Sequence, residues 1–261
     1  MSDSPWWVVT DLDGTLLDDH YDWGPAAPVL ERLRRGGIPV IPCTSKTAEE
    51  VRRFRRAAEL RDPFIVENGG AVHGESDGQE WRVVLGADAA RLRSELAGLA
   101  DRLGLGLRPL AACSLDEVTA LTGLRGEAAD LARRREWSVP FLLGESAPAG
   151  AWESLEAAAA ARGLKLLQGN RFAHLIDAAT DKGLALAELR RRRGGPSTRV
   201  LALGDSPNDR ALLEAADVAV VVPGPEGPHP QLRAAIASGR YRLAPAPHGR
   251  GWGAAVADLL F

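Results

Sequence analysis

The stretch Val8-Val9-Thr10-Asp11-Leu12-Asp13-Gly14-Thr15 lies near the start of the chain, and the interpretation of the whole sequence depends on it. The apolar run 6–9 predicts a short buried strand. Asp11 and Asp13 are two residues apart, so their side chains point to the same side of an extended chain. We therefore expect both carboxylates at the carboxyl end of a central strand, where open α/β sheets bind their ligands.

This Asp-x-Asp-Gly pattern has two interpretations. Asp and Gly are favoured in turns for backbone reasons, so the pattern alone fits an ordinary turn after a strand. Two neighbouring carboxylates also repel each other, and a hard divalent cation between them would relieve the repulsion. The remainder of the chain has to decide between a turn and a metal site.

The composition is that of an ordinary globular protein. Of the 261 residues, 45% are hydrophobic and 26% are charged, which suits one large domain or a domain with an inserted second one. A formal net charge of −3 gives no reason to expect nucleic acid or a membrane surface as a partner. The start shows no pattern typical of a secretory signal and no apolar run has membrane-spanning length, so we expect a cytoplasmic protein. We expect it to be a monomer or a weak homodimer.

Strand and helix patterns alternate in two separate parts of the chain. Strands are predicted at 6–9, 38–43, 63–66, 199–203 and 218–222, and helices from 25, over 48–60 and over 182–193. This alternation predicts the α/β class, with a Rossmann-like doubly wound parallel sheet. The middle segment, with an amphipathic helix through 92–103 and a hairpin over 164–176, predicts an inserted α+β unit. We expect a catalytic core of 1–79 and 177–261 and a cap of 80–176.

Four stretches carry residues that suit phosphate chemistry. They are Asp11 with Asp13, Thr44 with Ser45, Lys182, and Asp205 with Asp209. Hydroxyl and N–H groups at a helix start suit a phosphate, and Lys182 would add an ammonium. Mg²⁺ takes few protein carboxylates, so Asp11, Asp205 and the main-chain oxygen of Asp13 would suffice to hold it. In this hypothesis Asp11 attacks phosphorus, while Asp13 protonates the leaving oxygen and then activates water.

In their order and spacing these stretches resemble the four motifs of the haloacid-dehalogenase-like phosphatases. The resemblance covers the whole chain and rests on 11–15, 44–45, 182 and 204–209. It implies a Rossmann-like core, an inserted cap, Mg²⁺ and an aspartyl-phosphate intermediate. It also implies that Asp11 is the nucleophile, Asp13 the acid/base, Lys182 the lysine that stabilises the intermediate and Asp205 a metal ligand. Asn208 and Asp209 would lie in or beside the metal shell.

A finer similarity concerns the substrate. The segments 39–47, 63–69 and 171–183 are similar to mannosyl-3-phosphoglycerate phosphatases, which make the compatible solute mannosylglycerate; glucosyl-3-phosphoglycerate, sucrose and trehalose phosphate phosphatases are related. Such a substrate carries a phosphate, a carboxylate and a sugar. The candidate contacts are Lys46, Arg171 and His174 for the anions, and Glu67 and Asn68 for sugar hydroxyls. Strand alternation would place Arg171 and His174 on opposite faces unless Arg171 lies in the 169–170 turn. The arginine run 133–135 is predicted as a solvated helix end.

Three other functions stay open at this point. A phosphatase of the same architecture could act on a sucrose, trehalose or simple sugar phosphate. A phosphomutase would pass the phosphoryl group to a second hydroxyl, and a non-catalytic sensor would bind a metabolite without releasing phosphate. Each of them has a small sugar phosphate as its partner. For the enzymes we expect a cap that opens and closes, because phosphoryl transfer needs a cleft that excludes water.

Overall fold

The computed structural model describes residues 5–144, 146–168, 172–195 and 197–261. The strands are β1 (Trp6–Thr10), β2 (Val40–Pro42), β3 (Phe64–Val66), β4 (Ala71–Ser76), β5 (Gln79–Val84), β6 (Leu107–Pro109), β7 (Val139–Leu143), β8 (Leu164–Gln168), β9 (Ala173–Asp177), β10 (Arg199–Gly204), β11 (Val218–Val221) and β12 (Arg242–Leu243). The helices are α1 (Ala27–Arg35), α2 (Ala48–Ala57), α3 (Ala89–Leu103), α4 (Leu115–Thr122), α5 (Glu127–Arg133), α6 (Ala151–Ala160), α7 (Lys182–Arg193), α8 (Arg210–Glu214), α9 (Arg233–Ala237) and α10 (His248–Leu260). Among these described helices, none combines the length and apolar character needed to cross a membrane.

The central sheet is parallel and has the strand order β12-β11-β10-β1-β2. The chain moves from β1 to β2 on one side and later adds β10 on the other, so the strand order reverses at β1. Open α/β sheets bind ligands at such a switch point, at the carboxyl ends of the strands. Thr10 pairs with Leu203, so the residues that follow β1 and β10 leave the sheet side by side. The predicted fold class is confirmed.

Alternate residues of the central strands pack into two separate cores, one on each face of the sheet. Val8 belongs to a cluster with Leu30 of α1 and Trp252 of α10. Val9 belongs to a second cluster with Leu186 of α7 and Leu212 of α8. Both faces are therefore covered, which explains why β1 is apolar at nearly every position rather than alternating.

The expected third parallel strand, β3, has a mixed role. Ile65 makes a parallel bridge with Cys43, which continues the central sheet, but β3 also pairs antiparallel with β4, and β4 with β5. Asp77 and Gly78 join β4 to β5 with φ values of 53° and 74°, as a two-residue hairpin turn requires. The predicted boundary at 79/80 thus falls inside β5, and the division into 1–79, 80–176 and 177–261 stays a prediction.

The inserted unit, here called the cap, consists of the elements from α3 to β9. Its antiparallel sheet has the order β6-β7-β9-β8. One face packs against α3 and α6 through Leu96, Leu155 and Phe141, in a core of its own. A smaller cluster around Leu110 and Val118 includes residues of α4 and α5. The predicted hairpin over 164–176 corresponds to β8 and β9; its 169–170 turn lies outside the described residues.

Candidate active site

Three charged side chains meet where β1 and β10 end and α7 begins. Nζ of Lys182 lies 2.7 Å from Oδ1 of Asp11 and 2.5 Å from Oδ1 of Asp209, and all three residues are buried. Burial opposes the charge on Lys182, but the Asp11 and Asp209 carboxylates outweigh it and raise the pKa of the amine. The ammonium is therefore held in its charged form beside Asp11.

The carboxylates around this lysine outnumber the cations. Oxygen atoms of Asp11, Asp205 and Asp209 lie within 4.8 Å of one another. Burial raises the pKa of Asp11 well above its usual value; Lys182 opposes the shift, and Asp209 and Asp205 add to it. A set of three carboxylates with one ammonium has excess negative charge, and its ligand atoms are all oxygens. These residues fit a hard divalent cation of the Mg²⁺ type.

The loop after β10 is folded around Asp209. Oδ2 of Asp209 accepts hydrogen bonds from the N–H groups of Asp205 (3.0 Å) and Ser206 (3.1 Å), while Oδ1 contacts Lys182. A side chain at Gly204 would collide with Asp209, because an added Cβ would lie 2.5 Å from the Asp209 Cβ. Asp209 thus connects this loop to Lys182 with both of its carboxylate oxygens.

Asp205 and Asn208 are held by contacts with Thr15 and Asn68 that sequence reasoning did not predict. Oγ1 of Thr15 donates to Oδ1 of Asp205 at 3.1 Å and lies 3.5 Å from Oδ2 of Asp11. Nδ2 of Asn208 donates to Oδ1 of Asn68 at 3.3 Å. Thr15 directly follows the Asp-x-Asp-Gly pattern, and this position is the signal that could have suggested its contact with Asp205.

The two hydroxyl residues after β2 have different environments. The Thr44 hydroxyl is buried and accepts a hydrogen bond from the N–H of Lys46 at 3.2 Å, whereas Ser45 lines the cleft. Helix α2 begins at Ala48, as predicted, and ends at Ala57, three residues earlier than predicted; Thr47 is its N-cap, with a reciprocal capping box to Glu50. The structure therefore brings Ser45 to the cleft and places the Thr44 side chain within its own loop.

Lys46 and Asp13 form a second ion pair in the cleft. Nζ of Lys46 lies 2.9 Å from Oδ2 of Asp13 and 3.7 Å from Oε1 of Glu50, and 4.7 Å from the centre of the Tyr21 ring. Burial opposes the charge of Lys46, but Asp13 and Glu50 raise its pKa above the usual value. Within the described ranges, Oδ1 of Asp13 is buried and has no hydrogen-bond partner. One oxygen of Asp13 is thus held by a cation, and the other is left for a ligand.

The cleft lies between core and cap. Its core side includes Asp11, Asp13, Tyr21, Ser45, Lys46 and Asn208, and its cap side includes Leu110, Thr122, Leu124, Arg135, Phe172 and His174. The Tyr21 hydroxyl donates to the main-chain oxygen of Thr122 at 2.7 Å, which ties a core loop to the cap. The core side of the cleft is therefore mostly polar, and the cap covers it with a partly apolar surface.

Glu67 and Asn68, predicted to contact sugar hydroxyls, are not among the residues that line this cleft. Both are buried. Oε1 of Glu67 accepts from the Glu136 N–H at 2.9 Å, and Oε2 accepts from the Trp137 N–H at 3.0 Å and the Ser138 hydroxyl at 2.6 Å. Glu67 therefore links the end of β3 to the chain segment that enters β7, and Asn68 supports Asn208.

His174 lies in the cleft, whereas Arg171 is outside the described residues. The imidazole of His174 is buried, and burial, with Arg135 and Lys182 nearby, lowers its pKa to about 3. It is therefore neutral at pH 7. Across the described part of the chain its Nδ1 finds no hydrogen-bond partner.

The prediction of a solvated helix end for 133–135 is wrong for Arg135. Only 10% of its side chain is exposed, and its guanidinium donates to the main-chain oxygens of Ser45 and Ala132. Arg134, by contrast, is exposed and paired with Asp130 on the same surface. Three identical side chains in a row gave no signal of which one points inward.

Comparison with known proteins agrees with this geometry. A glucosyl-3-phosphoglycerate/mannosyl-3-phosphoglycerate phosphatase of Persephonella marina is 31% identical over 231 residues, which cover 83% of this chain and 84% of that protein. The crystal structure of Thermoplasma acidophilum protein 0175 aligns with a TM-score of 0.72 at 16% identity, over 97% of both chains. Sucrose-phosphatase from Synechocystis sp. PCC6803, in complex with sucrose and phosphate, aligns with a TM-score of 0.65 at 19% identity, over 97% of this chain and 96% of that one. The family model described as haloacid dehalogenase-like hydrolase matches residues 8–86 and 166–223, and the chain belongs to this family.

Proposed function

We propose that the protein is a Mg²⁺-dependent phosphatase that hydrolyses mannosyl-3-phosphoglycerate or glucosyl-3-phosphoglycerate to the glycosylglycerate and phosphate. The observation that carries the reaction type is the buried contact of 2.7 Å between Lys182 and Asp11 at the switch point of the sheet. The similarity to the Persephonella marina phosphatase supports the substrate class. The mannosylglycerate product would serve as a compatible solute of the cytoplasm.

Asp11, Asp205 and the main-chain oxygen of Asp13 would hold the metal, with Asn208 and Asp209 in or beside its shell. Both oxygens of Asp209 already accept hydrogen bonds, so its first role is to position Lys182 and the loop that carries Asp205. When bound, Mg²⁺ would offset the charge of the carboxylates and of the substrate phosphate.

Asp11 is the proposed nucleophile. Its Oδ1 is engaged by Lys182, which leaves Oδ2 for phosphorus. Attack forms the bond between Oδ2 and phosphorus and breaks the ester bond between phosphorus and the glycerate oxygen. Lys182 would supply positive charge for the phosphoryl oxygens, and the proposed phosphate-binding loop of Thr44 and Ser45, with Ser45 facing the cleft, would supply hydrogen-bond donors.

Asp13 is the proposed acid and base. It would give a proton to the departing glycerate oxygen and then take one from the water that hydrolyses the aspartyl-phosphate. Its Oδ1, which has no hydrogen-bond partner among the described residues, offers the atom for these transfers, while Lys46 holds Oδ2 in place.

The decisive experiment is phosphate release by the purified protein with Mg²⁺. Asp11→Asn removes the nucleophile but keeps the shape, so we expect turnover of mannosyl-3-phosphoglycerate to fall at least about 1,000-fold. Asp101→Asn, at an exposed position of α3, is the matched control and should keep wild-type turnover. Substantial turnover by Asp11→Asn would refute the covalent mechanism.

A panel of substrates tests the specificity. We expect the highest kcat/KM on mannosyl- or glucosyl-3-phosphoglycerate, compared with sucrose phosphate, trehalose phosphate and simple sugar phosphates. A higher kcat/KM on one of these other sugar phosphates would change the assigned substrate and leave the proposed phosphatase reaction unchanged. Transfer to a second hydroxyl would identify a phosphomutase, and binding without phosphate release would identify a sensor.

A further inference from the structure

Arg135 is a buried cation of the cleft that the proposed chemistry does not use. It follows α5 on the cap, and its guanidinium reaches the core, where it donates to the main-chain oxygen of Ser45. A second donor, Nε, bonds to the main-chain oxygen of Ala132 at 2.8 Å. The guanidinium is therefore fixed where the cap meets the proposed phosphate-binding loop.

The Glu50 carboxylate near Arg135 also lies near a second cation, Lys46. Oε2 of Glu50 lies 4.0 Å from Arg135, and this oxygen also accepts hydrogen bonds from the N–H (2.9 Å) and hydroxyl (2.8 Å) of Thr47. The other oxygen of Glu50 lies 3.7 Å from Lys46, which has Asp13 at 2.9 Å as a closer partner. Lys46 is thus well paired inside the cleft. Arg135 faces two carboxylates, Glu50 at 4.0 Å and the buried Glu67, and both already accept hydrogen bonds from other donors.

His174 provides an independent sign of a ligand at the same place. It is buried on the cap side of the cleft, and its Nδ1 has no hydrogen-bond partner within the described ranges. Buried polar atoms are seldom left unpaired, because each has lost its hydrogen bonds to water without a replacement. A neutral imidazole can donate from this nitrogen to an acceptor. A group with several acceptor oxygens would satisfy both His174 and Arg135.

Resting on the proposed function, we propose that Arg135, assisted by His174, binds the carboxylate of the glycosyl-phosphoglycerate and thereby selects phosphoglycerates over sugar phosphates without a carboxylate. The planar guanidinium matches a carboxylate with two parallel hydrogen bonds. In a 3-phosphoglycerate the carboxyl carbon is two carbons from the carbon that bears the phosphate ester. Because Arg135 contacts Ser45, a phosphate held at the Ser45 loop places the carboxylate within reach of Arg135.

The test compares kcat/KM for mannosyl-3-phosphoglycerate with kcat/KM for p-nitrophenyl phosphate, which lacks a carboxylate, using the Mg²⁺-loaded protein. Arg135→Gln should lower the ratio of these two values roughly 10- to 100-fold, as loss of a charge-assisted hydrogen bond predicts. Most of the change should be an increase in KM for mannosyl-3-phosphoglycerate. Arg135→Lys should restore part of the ratio, since it keeps the charge without the fork. Arg134→Gln, at the exposed neighbour, should keep the wild-type ratio.

The possible failures are distinguishable. An equal loss on both substrates in Arg135→Gln would show that Arg135 only supports the Ser45 loop, and would overturn its role in specificity while the proposed function stands. A wild-type protein that prefers p-nitrophenyl phosphate would overturn both the substrate class and the role of Arg135. A folded wild-type protein that releases phosphate from neither substrate would overturn the proposed function itself.

Discussion

Lys182 depends on two carboxylates for its place in the interior. Removing one partner of a buried ion pair leaves unpaired charge in the core and typically costs about 3–5 kcal/mol. We expect Lys182→Met to lower the free energy of unfolding by this amount at pH 7, because Asp11 and Asp209 would then face each other without an ammonium. Urea unfolding without added metal measures the change, and phosphate release should be lost in the same variant.

Lys165 is the matched control for this change. Its Nζ lies 3.1 Å from Asp181, but 32% of its side chain is exposed. Exposed ion pairs contribute about 0–1 kcal/mol, so Lys165→Met should cost no more than that. An equal loss of unfolding free energy in Lys182→Met and Lys165→Met would show that the buried ion pairs of Lys182 contribute no more to stability than an exposed pair.

At single residues the sequence predicted motif positions better than side-chain directions. Asp11 and Asp205 follow strands whose carboxyl ends must meet in a parallel sheet, so their proximity follows from local patterns. Thr44 and Arg135 differ, because the strand and helix patterns do not encode the contacts that decide which way each side chain points. Thr44 turns to the N–H of Lys46, and Arg135 turns to Ser45, 90 residues away.

Between elements, Glu67 is the group that joins the end of β3 to the start of β7. Its carboxylate accepts two N–H bonds and one hydroxyl bond from residues 136–138. Gly70 allows the close approach of this segment, because an added Cβ would lie 2.3 Å from the Cβ of Trp137. Burial raises the pKa of Glu67, while Arg135 and the three hydrogen bonds oppose the shift.

We expect Glu67→Ala to lower the free energy of unfolding by about 2–4 kcal/mol, because it leaves the buried Ser138 hydroxyl and two N–H groups without an acceptor. Urea unfolding at pH 7 measures this. Glu136→Ala is the control, since the Glu136 side chain is exposed and pairs with Arg82 at 3.2 Å, a contact of small value. Wild-type stability in Glu67→Ala would mean that the link between β3 and β7 is replaceable by water.

Among the elements, the sequence predicted those with strong local patterns. The hydrophobic period of α3 and the apolar runs of β1, β10 and β11 predicted these elements and, through their alternation, the parallel sheet. Strand β4 was missed, because its sequence begins after Gly69-Gly70 and it pairs antiparallel with β3 and β5, outside the alternating strand–helix pattern. The start of α2 at Ala48 was predicted correctly, but its end was placed at 60 rather than at Ala57, because the sequence there has no glycine or proline that would mark the end of the helix.

At the scale of the whole molecule, the charged cluster of the site is assembled from distant parts of the chain: Asp11 contacts Lys182, which lies 171 residues later. The order of the motifs predicted this meeting. The junction of cap and core was not predictable in the same way, because the contacts of Tyr21 with Thr122 and of Arg135 with Ser45 depend on how two separately folded layers approach each other.

The same assembly makes the stability of the whole protein respond to metal. A ligand that binds only the folded state stabilises it by about 2–3 kcal/mol at 100 times its dissociation constant. We therefore expect Mg²⁺ to raise the unfolding temperature of the wild-type protein. Asp205→Asn should remove most of this rise. Without metal, this variant should be at least as stable as the wild type, because the change relieves repulsion among carboxylates that lie within 4.8 Å of one another and keeps an oxygen for Thr15. Asp101→Asn, exposed and distant from the cluster, should keep the full rise. Differential scanning calorimetry with and without Mg²⁺ separates the two effects, and an undiminished rise in Asp205→Asn would exclude Asp205 as a ligand.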